Sequence, residues 1–210
     1  MEIIAPLISI LGVMSLGIIS PGPSFVLVAR TAVANSRADG LATALGMGVG
    51  ALFFAALALL GLQAVLLSVP TLYMVLKILG GAYLFYLAVV IWRGSKQTVD
   101  IVDGSGEKPS KVYQSFKIGL VTQLSNPKTA IFYGSVFAAL LPADLSISLI
   151  LLLALMLFIL EAGWYSIVAL ALSSNTPRKV YLNLKTILDR VASFIIGGLG
   201  FKLIIRASSK

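Results

Sequence analysis

The chain has 210 residues, of which 59% are hydrophobic and 11% charged, and its mean hydropathy is +1.01. That balance excludes an ordinary water-soluble domain, in which about a quarter of the residues are charged. The formal charge of +8 does not point to nucleic acid, because Lys and Arg fall in short segments between apolar blocks. The absence of Cys and His excludes disulfides, thiol chemistry and nearly all zinc or haem sites.

The first block, residues 3–34, carries no charge between Glu2 and Arg30 and is expected to cross a bilayer. Nothing before it reads as a basic leader with a small-residue cleavage site, so this span is expected to be retained. Within it lies Ser20-Pro21-Gly22-Pro23-Ser24. Two prolines around a glycine remove amide donors and clash with preceding carbonyls, so the helix must break there.

Residues 41–67 and 72–92 form spans two and three, divided at Pro70-Thr71. Lys77, near the start of span three, reads as a snorkelling anchor. Residues 93–117 turn to Gly, Ser, Lys, Asp and Glu with Pro109, a solvated connection that halves the chain.

Span four, residues 118–141, contains Ser125-Asn126-Pro127-Lys128-Thr129. Asn before Pro is the signature of a helix start, here in mid-membrane. After a turn at Pro142-Ala143-Asp144 comes span five, residues 145–172, then a basic loop around Pro177-Arg178-Lys179. Residues 191–205 are short for a span and contain Lys202, yet six spans are favoured over five.

The expected fold is therefore an all-α integral membrane domain of about six transmembrane helices. Its two three-helix repeats are residues 1–92 and 118–210, joined by a cytoplasmic linker at 93–117. The breaks at Ser20 and Ser125 lie half a chain apart, each in the first span of its half. An odd number of spans per repeat inverts the second copy, so both broken first helices aim a half-helix N-terminus at the midplane. Arg30, Arg37, Arg93, Lys96, Lys108, Lys111, Lys117, Arg178, Lys179, Lys185 and Arg190 follow spans one, three and five. They mark the cytoplasmic side and place both termini outside.

Each internal N-terminus exposes amide donors and about half a positive charge, which suits an anionic group such as a carboxylate. Ser20, Pro21, Gly22, Pro23, Ser24, Asn126, Pro127 and Lys128 are thus candidate substrate-binding residues. Glu161, at the centre of span five, is costly in a bilayer and should face the interior. It either carries a coupling proton, binds a substrate ammonium beside Trp164 and Tyr165, or forms a structural ion pair with Lys128. Lys128 in turn either binds a substrate carboxylate or neutralises Glu161.

Arg37 and Asp39 are candidates for an ion pair at a cytoplasmic gate. Gly46, Gly48 and Gly50, Gly80 and Gly81, and Gly197, Gly198 and Gly200 form small-residue stripes suited to close helix packing. No phosphate-binding loop or acidic metal pair occurs within the spans, and no cofactor is expected.

Ser20-Pro21-Gly22-Pro23, Gly40 with the glycine-rich second span, Asn126-Pro127-Lys128 and the closing Gly197-Gly198-Leu199-Gly200-Phe201-Lys202-Leu203 resemble the LysE/RhtB family of bacterial amino-acid exporters. The resemblance covers almost the whole chain, although relatives commonly carry Asp where Glu161 stands. It implies an inner-membrane exporter of amino acids or close derivatives, driven by proton motive force, and not an enzyme. Its partners would be the amino acid, a coupling ion, membrane lipid and possible further copies of the chain, with no nucleic acid. A passive channel or a carrier of another small solute is the alternative.

Overall fold

The computed structural model describes residues 4–20, 22–68, 70–97, 112–142, 145–173 and 175–208. Pro21, Ala143, Asp144 and most of the 93–117 connection lie outside them, as do the side chains of Lys77, Arg178 and Lys179. The described residues form eight helices: α1 (Ile4–Ile19), α2 (Pro23–Ala34), α3 (Arg37–Ser68), α4 (Pro70–Gly94), α5 (Val112–Leu124), α6 (Pro127–Leu140), α7 (Ile147–Leu172) and α8 (Asn175–Ser208).

Both breaks fall where the prolines require. α1 and α2 are bent by 58° across the first. At the second, α5 ends at Leu124, and Asn126 caps α6 by accepting from the backbone amide of Lys128. α5 and α6, at 13 and 14 residues, each rise only about 20 Å, too short to cross a bilayer alone.

Two elements differ from the expectation. The connection expected to run to Lys117 gives way to helix at Val112, because 112–117 carries only one charge and continues the apolar pattern of α5. The basic stretch around Pro177-Arg178-Lys179 is not a loop: it lies within the 34-residue α8, about 51 Å long. Its prolyl residue sits in the first turn, where no amide donor is lost.

Among the described residues, Arg37–Gly61 and Ile147–Leu172 are long and apolar enough to cross a membrane, and the bent pair Ala5–Ile19 with Pro23–Ala34 forms a third such unit. Many large apolar side chains face outward, including Leu151, Leu155, Ile159 and Ile167 on α7 and Phe194 on α8. Such a surface is stable against hydrocarbon and not against water.

The helices pack through two apolar clusters. The larger gathers Ile10, Met14, Leu59, Leu84, Phe132, Tyr133, Phe137, Leu153 and Leu157, and the smaller gathers Phe25, Val28, Met47, Tyr165 and Val168. Glycines allow the closest approaches, where dispersion and backbone contact drive helix association. A Cβ at Gly46 of α3 would run into the Phe116 carbonyl of α5, and one at Gly81 of α4 would approach the Gly200 carbonyl of α8 to 2.8 Å. Gly198, counted with that stripe in the sequence, instead faces open space.

Hydrogen bonds tie several helix ends to neighbouring helices. Arg37 Nε donates to Ser173 Oγ at 3.0 Å, joining the start of α3 to the end of α7. Ser115 Oγ donates to Asp39 Oδ1 at 2.8 Å, and Lys185 Nζ donates to the carbonyl of Gly94 at 2.9 Å.

Candidate substrate site between the two helix breaks

The two breaks meet in space. A Cβ added at Gly22 would lie 3.5 Å from Lys128 Nζ, so the ammonium from the second break rests against the backbone of the first. Gly22 provides no side-chain cap for α2. The small cavity here, about 30 Å³, is lined by Gly17, Ile18, Ser20, Gly22, Pro23, Ser24, Asn126, Lys128, Thr129, Phe132, Tyr133, Glu161 and Tyr165.

A chain of hydrogen bonds runs from the second break to the carboxylate. Asn126 Nδ2 donates to Ser24 Oγ at 3.1 Å, Ser24 Oγ donates to Gln123 Oε1 at 3.0 Å, and Gln123 Nε2 donates to Glu161 Oε1 at 2.6 Å. Tyr133 donates to the other carboxylate oxygen over a longer 3.4 Å. Every donor in the chain points toward Glu161, the direction that favours a negative charge there. Asn126, Ser24, Gln123, Tyr133 and Glu161 are all buried, so each would be costly without these partners.

The sequence candidates divide. Ser20, Gly22, Pro23, Ser24, Asn126, Lys128, Glu161 and Tyr165 converge on the cavity. Pro127 starts α6 with its ring exposed, and Trp164 packs between the two apolar clusters, one helical step from the cavity wall. Lys128 and Glu161 share the cavity without a direct ion pair: the carboxylate is held by Gln123 and Tyr133.

Arg37 and Asp39 lie away from the cavity. Asp39 is buried and accepts from Ser36 Oγ at 2.6 Å and from Ser115, which staples α3 to α5.

Gln123 and Tyr133 are site residues that sequence reasoning missed. Gln123 carried a signal: an amide in an apolar span, one turn before a proline break, has to find a polar partner. Tyr133 had none, since an aromatic in a span is ordinarily core or interface.

Gln123→Met keeps the volume but leaves Glu161 without its shortest bond and Ser24 without its acceptor. The expected loss is about 2 kcal/mol of stability, read as a lower unfolding midpoint in detergent. A midpoint equal to wild type would show that the network holds nothing together.

The sequence is 30% identical over 189 residues to the threonine efflux protein of Salmonella typhi, covering 90% of this chain and 92% of that protein. The threonine efflux protein of Escherichia coli K12 gives the same identity and coverage. An uncharacterized membrane protein of Haemophilus influenzae is 27% identical over 181 residues, 85% of this chain and 86% of its own length. No solved structure matches the chain. Residues 15–207 match the LysE type translocators, and with that match and these relatives the chain belongs to that family, a membrane transporter and not an enzyme.

Proposed function

We propose that the chain is a secondary active exporter of an amino acid or a close derivative, coupled to protons, in the bacterial inner membrane. The observation that carries this reading is the pairing, in one cavity, of a buried carboxylate with a cation at a helix start. Glu161 and Lys128 complement the ammonium and carboxylate of a zwitterion, and Lys128 is aided by the partial positive charge of the α6 N-terminus. Threonine is the first candidate, because two similar proteins are threonine efflux proteins.

The bonds to Glu161 support coupling to protons. A neutral Glu161 still accepts from Gln123 through its carbonyl, and its own hydroxyl can donate to Tyr133, whose oxygen accepts as readily as it donates. The site thus holds either a proton or a substrate ammonium, and exchange of one for the other is antiport.

Two inverted repeats, residues 1–92 and 118–210, supply the alternating access, with six spans and both termini periplasmic. Corresponding helices pack on each other, α3 with α7 and α4 with α8, as expected of copies related by an axis between them. Arg37 and Asp39, in the first turn of α3, belong to the cytoplasmic closure.

Cells loaded with a panel of amino acids, threonine first, should release one of them faster when they carry this protein. Equal release of every amino acid with and without it would contradict the reading. Release that never exceeds the equilibrium distribution would instead identify a passive channel.

A further inference from the structure

A second cavity, about 590 Å³, adjoins the first and is bordered by α2, α4 and α8. Ser20, Gly22, Pro23 and Lys128 line both cavities. The smaller contains Glu161; the larger contains Asp189, Lys185 and Arg93 and lies toward the face where α4 ends. Each cavity therefore has its own buried carboxylate, and Lys128 stands in the wall between them.

The two lysines differ in what they have left to offer. Lys185 Nζ uses all three donors, on the carbonyls of Gly94 at 2.9 Å and Ser95 at 3.3 Å and on Asp189 Oδ2 at 2.8 Å. It ties off the C-terminal end of α4 and fixes Asp189, with nothing remaining for a ligand. Lys128 Nζ has no hydrogen-bond or ion-pair partner among the described residues, while Asp189 and Glu161 both attract it electrostatically. Asp189 Oδ1 accepts one long bond, 3.3 Å, from Ser20, and a carboxylate has further lone pairs to give.

We infer that the larger cavity is a second substrate station, in which the ammonium of a zwitterionic amino acid binds Asp189 while its carboxylate binds Lys128. From there the ammonium passes the Ser20–Gly22–Pro23 break to Glu161, with Lys128 holding the carboxylate at both stations. This rests on the export reading above and assigns to Asp189 and the larger cavity the capture of substrate on the cytoplasmic side.

The test is uptake of L-threonine and a panel of other amino acids into inside-out membrane vesicles, whose outer surface is the cytoplasmic face. Asp189→Asn should raise KM roughly tenfold with kcat nearly unchanged, and Asp189→Glu should recover most of it. Val90→Trp, which adds bulk at an apolar position of the larger cavity's lining, should raise KM in the same way and serves where Asp189→Asn does not fold. A structural role alone would lower the amount of active protein and leave KM untouched. Wild-type uptake with KM unchanged in the folded variants overturns the second station only; no uptake of any amino acid by wild type overturns the export reading and this inference with it.

Discussion

Glu161→Gln is expected to abolish most efflux while leaving the protein folded. Among the described residues the carboxylate is the one buried anion in the cavity between the breaks, and losing the buried charge that pairs with a substrate ammonium costs about 2–5 kcal/mol, or roughly thirtyfold and more in transport. The amide has nearly the same shape. Its carbonyl still accepts from Gln123 at the position where the carboxylate now does, and a neutral amide is cheaper to bury than a charge. The unfolding midpoint should therefore stay level or rise as transport falls. Coupled flux at the wild-type rate in folded Glu161→Gln would remove the carboxylate from the mechanism.

The largest effect on folding is expected at Gly119. A Cβ there would collide with the carbonyl of Thr43 on α3, as one at Gly46 would with that of Phe116 on α5, so the two glycines let these backbones touch. Neither obstacle is a side chain that can swing away. Gly119→Leu should destabilise by about 3 kcal/mol or more and yield little folded protein in detergent. Gly163→Leu is the matched control: nothing lies within 4 Å of a Cβ at Gly163, and Leu is the better helix former, so stability should be kept or improved. Equal yields of the two variants would show that the α3–α5 approach is looser than described.

These residues also show what could be read before any fold was known. The breaks were legible because proline chemistry is local: Pro23 and Asn126-Pro127 can only begin helices, and they do. Glu161 was legible because a lone acid in a span has no cheap place except the interior. Gly119 was not, since a single glycine in a short helix looks like any other until its neighbour is known.

Gln123 joins Ser24 and Glu161 across separate helices, a relation that no spacing along the chain expresses. α8 misled for another reason. Its first half is polar enough to read as a loop, but Lys185 and Asp189 are buried against the ends of α4 and α1, and burial supplies the stability that composition did not suggest.

Purified protein in liposomes with an imposed pH gradient gives the most direct test of a proton-coupled site between the two breaks. Wild type should concentrate its amino acid above equilibrium against the proton flow, and Glu161→Gln in parallel liposomes should not. Accumulation that ignores the pH gradient, or that persists in Glu161→Gln, would contradict it.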